Sequence, residues 1–455
     1  MRGFAALSRI RHAFVTLVRH FGGDPAIQHL ITHHMLKLKS LSIALLGSAL
    51  FASSGFAQDS GPLINLLVKK GLVNDQEAEE LRADLSRDSA AAVVSTISGG
   101  KSTVGLSITG RMQVQYAGLS TQINGTPVNP VSTEHFFLRR IYLGAKANLG
   151  NGWSSTLNYD FAGLTFDQAF ITWRKDDALA VDVGFRKVPF GLEEWYTSSG
   201  SLKAIERSPG TRYFVEANNG RRLGAGSYRI GAFAGGKFDN GVFYNVAVTN
   251  PERDESSLGT AAGVAFSGNN TNNSLSEWGN LGYVGKIGTG EEAGTYTLSS
   301  SIGFLPDQGG KTLGVGDNLT VYNAFADIVK GPFDLQLEYF GSSNDHGVSA
   351  TQNSKSSAYS IQPAYTIGNI EYAVRYTFVN SDNRGVNLSD GIRSAPGGGT
   401  MNKMSEWFVG GTYFFRGNDA KLQLGYIAGQ SKDTVTGGAA KASSEGVRSQ
   451  MQVNF

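Results

Sequence analysis

The sequence predicts an all-β fold: a transmembrane, 16-stranded antiparallel β-barrel with an inward-folded constriction loop, preceded by a short N-terminal helical segment. Three observations lead there. From residue 104 to 455 the chain alternates apolar and polar residues in segment after segment, the period of strands whose two faces meet different surroundings. The connections alternate between tight turns and long polar loops, residues 380–403 among them, expected at the external end as in an up-and-down barrel. Beyond the leader, no run of about 18 apolar residues could cross a membrane as a helix.

Composition points the same way. Glycine supplies 59 residues and aromatics 11%, a mixture suited to strands joined by polar turns. Cysteine is absent, which excludes thiol catalysis, disulfides and cysteine-ligated metals.

Residues 1–34 hold His12, His20, His29, His33 and His34 without a ligating spacing, and read as an extension upstream of the true start. Residues 35–57 have the parts of an export signal peptide: Lys37 and Lys39, an apolar run from Leu41 to Phe51, and the small residues Gly55 and Ala57. Removing residues 1–57 leaves 34 basic against 37 acidic residues, so no general attraction to nucleic acid is expected. In residues 58–103, Asn74 and Glu77 resemble a capping box, and Leu81 and Leu85 give one apolar edge. A periplasmic helical or coiled-coil segment is expected there, or a plain linker, ending in a small-residue tether.

The barrel occupies 104–455. Its first strand, VGLSITGRMQVQY, sets Ile108, Met112, Val114 and Tyr116 on one face and Arg111, Gln113 and Gln115 on the other. Its last, VRSQMQVNF, sets Val447, Met451, Val453 and Phe455 against Arg448, Gln450 and Gln452. A barrel with an aqueous core needs this inverse pattern, apolar toward lipid and polar toward water. Sixteen such segments run from 104–118 to 446–455, the sixth at 221–235. Trp153, Tyr339, Tyr372, Trp407 and Tyr413 fall where interface girdles would lie. A sandwich or propeller fits poorly, since no blade-length repeat recurs.

One stretch breaks the pattern. Leu179, Val181, Val183 and Phe185 alternate with Asp182 and Arg186 until Pro189, which cannot donate to a ladder, and a Ser/Gly run follows. The loop 188–220 carries Glu193, Glu194, Tyr196, Lys203, Glu206 and Arg207, and is expected to fold inward and narrow the pore.

Past the leader only His135 and His346 remain, neither placed against a nucleophile and an orienting group. No enzyme, metal site or cofactor is therefore expected. Cations are more informative: Arg111, Arg140, Lys146, Arg186, Arg229, Arg375 and Arg448 all fall on the polar register. Guanidinium forks bind oxyanions through paired hydrogen bonds, and rows of them in a pore favour anions. Any one could instead pair with Asp160, Asp182, Glu371 or a loop glutamate and stiffen the wall.

The motifs HFFLRRIYLGAKANLGNGWSSTLNYDFAG, FDQAFITW and VGFRKVPFGLEEWYTSSGSLKAIERSP, with the terminal Phe455, resemble the phosphate-selective porin O and P family. The resemblance implies a trimeric outer-membrane barrel with an inward third loop and a ladder of lumenal arginines passing phosphate or related anions. It implies Arg111, Arg139 and Arg140 at the constriction, Tyr142 and Tyr196 on its approach, and Lys203 as the constriction lysine. Asp167 is implied as the acidic partner, with Asp160 and Asp176 as alternatives. By simple alternation Arg139 would face lipid, and it reaches the lumen only if a bulge shifts the register.

The chain is thus expected in the outer membrane of a Gram-negative cell, giving passive diffusion of small anions, phosphate or polyphosphate first. A general diffusion porin for small hydrophilic solutes is the alternative in the same class, and a structural outer-membrane anchor the alternative from another. Expected partners are small anions, outer-membrane lipid, two further copies of the chain, and the barrel assembly machinery through Phe455.

Overall fold

Alternating strands joined by short and long connections can satisfy every backbone group in a membrane only by closing on themselves. The computed structural model, which describes residues 68, 105–216, 221–250, 274–289, 293–306, 318–433 and 440–455, shows that closure. The residues read as an upstream extension (1–34) and a signal peptide (35–57) and, Val68 apart, those of the helical segment and linker expected at 58–103 lie outside the described residues.

Sixteen antiparallel strands form the barrel. The first half comprises β1 Gly105–Ile123, β2 Thr126–Gly150, β3 Trp153–Asp160, β4 Thr165–Asp176, β5 Leu179–Lys187, β6 Tyr228–Lys237, β7 Val242–Thr249 and β8 Ser276–Ile287. The second comprises β9 Gly294–Leu305, β10 Leu319–Lys330, β11 Phe333–Ser349, β12 Ser357–Ile367, β13 Ile370–Asn380, β14 Lys403–Arg416, β15 Ala420–Lys432 and β16 Lys441–Asn454. Each pairs with its neighbour in sequence, and β16 returns to β1 from Arg111↔Asn454 to Ile123↔Ala442. Phe455 completes the seam, exchanging backbone hydrogen bonds with Gly110 at 2.6 and 3.0 Å. Short turns gather at one end and long connections at the other. The hairpin joining β1 and β2 at the long-connection end is tight, because Asn124 and Gly125 take φ of 50° and 81°.

The outer surface follows the predicted apolar register: Ile108, Leu143, Val183, Leu281, Ile302, Tyr372, Trp407 and Val409 are all exposed on it. The inner surface departs from expectation. Toward the long-connection end it carries apolar residues, among them Leu119, Leu319, Val321, Phe340, Val379 and Met404, all buried in one cluster. Two loops fold in and cover them in place of water. The connection from β5 to β6 supplies Val188, Phe190, Ile205, Tyr213, Phe214 and Leu223. The connection from β13 to β14, expected to be an external polar loop, supplies Leu388, Ile392 and Ala395.

Residues 221–227, expected to open the sixth strand, belong to the inward loop. Ser227 takes φ 69° and Gly224 φ 65°, and Leu223 and Ala225 donate backbone hydrogen bonds to Tyr213 and Phe214 rather than joining the barrel. Their alternation imitates a strand because the segment packs one face on a short helix, α1 Pro209–Val215.

The candidate pore constriction

The constriction loop leaves β5 at Val188 and crosses the lumen. Gly191, at φ 94°, turns the chain into one π-helical turn, Leu192–Tyr196, whose Leu192 N–H donates to Glu338 on β11. Trp195 and Tyr196 pack with Leu192, Phe243 and Phe325, and the Tyr196 hydroxyl lies 3.0 Å from that of Thr297. Residues 198–203 then run against β1, β15 and β16: Arg111 Nη1 donates to Ser199 Oγ at 2.8 Å and Gln452 Nε2 to the Gly200 carbonyl at 3.0 Å. At Ser208 the chain enters α1, with Ser208 Oγ accepting from Thr211 N at 3.1 Å and Pro209 supplying the preset first turn.

Buried ion pairs hold this course. Arg375 on β13 donates to Glu193 Oε1 at 2.8 Å, to the Glu206 carbonyl at 2.9 Å and to Glu406 at 3.1 Å. Glu193 Oε2 in turn accepts from Ser208 N at 2.6 Å and Thr211 Oγ1 at 2.9 Å. Arg207 pairs with Glu194 at 2.7 Å. Lys203 Nζ lies 2.7 Å from Asp334 and 3.0 Å from Glu371, on β11 and β13. Burial alone would lower the Lys203 ammonium, but those two carboxylates hold it well above its ordinary value. The Glu206 carboxyl, which burial would raise, is held well below its ordinary value by Arg139 and Arg393.

A β-bulge decides where Arg139 points. The β1–β2 register passes from Gln113↔Arg140 to Val114↔Leu138, leaving Arg139 as the extra residue. It turns inward and forms a two-pronged pair with Glu206. Arg140, the next residue, is 2% exposed and lies among Arg139, Arg207, Tyr142 and Glu206. It donates Nη1 to Gln113 Oε1 at 2.7 Å and has no other hydrogen bond and no ion pair among the described residues. Arg111 lies 5.8 Å from the Tyr142 ring centroid, so Arg111, Arg139, Arg140 and Tyr142 come together on β1 and β2.

Of the three acidic alternatives, Asp167 faces this group, accepting from Asn158 at 3.0 Å and from the Tyr228 hydroxyl. Asp160 accepts from Ile141 N and Ala162 N and caps the β3–β4 turn, while Asp176 caps a short turn through Ala178 N at 3.0 Å. Lys203 and Tyr196 stand apart, Lys203 between the carboxylates of β11 and β13 and Tyr196 beside β7, β9 and β10.

The further cations divide. Arg186 pairs with Asp182 and lies 5.4 and 5.2 Å from the Phe170 and Phe233 rings. Arg229 stacks on Trp278 and donates to the Gly224 carbonyl at 2.7 Å, fastening the returning loop. Arg375 fastens the loop as described. Arg448 donates to the Arg393 carbonyl and lies 3.9 Å from Glu206.

Sequence reasoning did not single out Lys187, which donates to the Glu194 carbonyl at 2.8 Å, or Arg393, which joins Glu206 and Glu216 at 3.7 and 3.3 Å. The signal for Lys187 was its place beside Pro189, where alternation ends. The signal for Arg393 was the capping box of Asn387 and Asp390, which opens the helical turn α2 Leu388–Gly391 inside the second loop.

Toward the short-turn end the lumen opens into a cavity of about 1920 Å³, roofed by Trp195, Tyr196, Ser201 and Lys203. Nine Lys or Arg residues line it against six Asp or Glu, so its excess charge is positive.

In fold, the chain is similar to the anion-selective porin from Comamonas acidovorans, with TM-score 0.53 and 12% identity over 77% of this chain and 100% of that one. It is likewise similar to the outer membrane channel DcaP of Acinetobacter baumannii, with TM-score 0.50 and 12% identity over 79% and 100%. No curated protein sequence matches it. Residues 106–455 match the model of the family described as phosphate-selective porin O and P. The chain, a closed 16-stranded barrel whose inward loop meets lumenal arginines, belongs to the phosphate-selective porin O and P family.

Proposed function

We propose that the protein is a passive channel for small anions across the outer membrane, with phosphate or polyphosphate as the leading solute and its long-connection end outward. Arg140 carries the reading: a buried guanidinium on the lumenal face with one hydrogen bond and no ion pair among the described residues. A desolvated cation without a carboxylate partner favours a visiting anion in its place. Phosphate can take two parallel hydrogen bonds from such a fork, each charge-assisted bond contributing about 1.5–3 kcal/mol.

Arg139 and Arg207 set the local potential while Glu206 and Glu194 offset most of their charge, leaving Arg140 as the unbalanced group. Arg111 and Tyr142 extend the contact surface, with Asp167 limiting how deep the site becomes. The positively biased cavity below, where Arg186 and Lys187 stand, draws the anion onward. A series of shallow sites permits release, as conduction requires. The anion selectivity of the Comamonas porin, which shares the barrel fold, supports this direction.

The extensive pairing of Arg139, Lys203 and Arg375 favours a second reading, a general diffusion porin whose cations serve mainly to hold the loop. Zero-current potentials across a salt gradient separate the two. Arg140→Gln should move the permeability ratio from anion preference toward unity under the first reading. An unshifted ratio at unchanged conductance would favour the second. We expect a homotrimer, inserted through recognition of Phe455 by the barrel assembly machinery.

A further inference from the structure

At the long-connection ends of β14, β15 and β16, three lysines stand side by side. Lys403 is opposite Lys432, and Lys432 is opposite Lys441. Each belongs to its strand's lipid-facing register: Lys403 with Trp407 and Val409, Lys432 with Leu424 and Tyr426, Lys441 with Glu445 and Val453, and each of those companions is exposed. Like charges directly opposite on adjacent strands repel and destabilise a sheet. None of the three side chains makes an ion pair or hydrogen bond among the described residues.

The carboxylates close to Lys432 and Lys441 along their own strands are engaged elsewhere. Asp433 lies on the inward register and accepts from Asn402 at 2.7 Å, and Glu445, two outward positions below Lys441, accepts from the Tyr426 hydroxyl at 2.8 Å. Between the lysines and the aromatic pair Tyr376 and Trp407 lies an outward polar row, in which Ser405 faces Gln430 and Gln430 faces Ser443. The order from mid-membrane outward is therefore rings, then hydrogen-bonding amide and hydroxyls, then cations. A lipid presents the same sequence of acyl boundary, polar head and phosphate.

We propose that this row is a docking site for an outer-leaflet lipid whose head carries more than one phosphate. Adjacent strands lie about 4.8 Å apart, so the outer lysines span about 10 Å and can engage two phosphates at once. Ser405, Gln430 and Ser443 meet the hydroxyl-bearing part of the head below. The assignment rests on the outward orientation given above but not on anion conduction, since these lysines face away from the lumen.

The test uses purified full-length protein in detergent and a bisphosphorylated diglucosamine lipid, with its dephosphorylated form and phosphatidylcholine as controls. Bound lipid is counted by native mass spectrometry and affinity measured by titration. Wild type should prefer the bisphosphorylated lipid, increasingly so at low salt. The Lys403→Gln/Lys432→Gln/Lys441→Gln variant should lose on the order of 100-fold in that affinity, at about 1 kcal/mol per lysine. The corresponding triple arginine variant should retain it, and all should keep wild-type heat-modifiable migration and ion selectivity. Equal binding of the two lipid forms by wild type, or undiminished binding by the glutamine variant, overturns the proposal. So does a glutamine variant whose lipid affinity is unchanged but whose oligomer falls apart, which would make the row a contact between copies.

Discussion

Replacing Arg375 by methionine should unseat the constriction loop while leaving the barrel closed. The guanidinium is 3% exposed and bridges Glu193 on the loop to Glu406 on β14, themselves 5% and 3% exposed. It also holds the Glu206 carbonyl, beside the two-pronged pair with Arg139. Its removal strands two buried carboxylates, and breaking a buried pair from one side costs about 3–5 kcal/mol. That energy falls on the loop's attachment, because the wall keeps its unbroken backbone ladder from β13 to β14 through residue 375 and its β12 pairs at Tyr376 and Ala373. The balance between seated and displaced loop should shift roughly 100- to 4000-fold toward displacement. Single-channel recordings would show larger and noisier open levels, and trypsin would reach Lys203 and Arg207, while the folded barrel's gel mobility stayed as in wild type. A variant with wild-type conductance, noise and protease resistance would refute the claim that buried ion pairs seat the loop.

Lys203 offers a complementary case. In Lys203→Met, Asp334 and Glu371 lose their shared cation, and selectivity should move toward cations; adding Glu371→Gln, which returns the cluster to its wild-type net charge, should return it. If restoring charge balance fails and phosphate block is lost instead, Lys203 acts on the anion directly. The loop contacts also set a pH window. Glu206, lowered in the folded state, stabilises above its ordinary 4.5 and loses that contribution only as pH falls through its lower folded value. Lys203, raised in the folded state, stabilises below its ordinary 10.5 and loses that only as pH rises through its higher folded value. Neither pair should accordingly titrate between pH about 5 and about 10, and a conductance step inside that window that Glu206→Gln or Lys203→Met abolishes would contradict the pairing. Threefold assembly should appear as a trimer-sized species on mild cross-linking of the detergent-purified protein, and a monomer alone would remove it.

The barrel was legible because strand alternation is a local property: the apolar register of Ile108, Met112 and Val114 follows from facing lipid, whichever strand lies alongside. The inward loop was legible at its origin, where Pro189 and Gly191 end β5. Its path was not, since it depends on contacts from distant strands, such as Glu338 for Leu192 and Arg375 for Glu193, that no local pattern announces. Arg139 shows the limit most clearly. Alternation sets it toward lipid, and only the bulge opposite Gln113 and Val114, a feature of two strands together, turns it to the lumen. The second inward loop was read as polar and external because its buried residues, Leu388, Ile392 and Ala395, are few and widely set among Gly, Ser and Asn. The apolar inner residues Leu319, Val321 and Met404 make sense only once that loop and the first cover them.

An anion site at Arg140 in the conducting path would make phosphate compete with chloride there. Titrating phosphate into one chamber while recording chloride current through single wild-type channels tests it most directly, with Arg140→Gln recorded alongside. Such a site gives a saturable block of chloride current by phosphate in wild type, weakened roughly 10- to 100-fold in Arg140→Gln, the loss of one charge-assisted contact of about 1.5–3 kcal/mol. Cation-selective current, or a phosphate response identical in the two proteins, would contradict it.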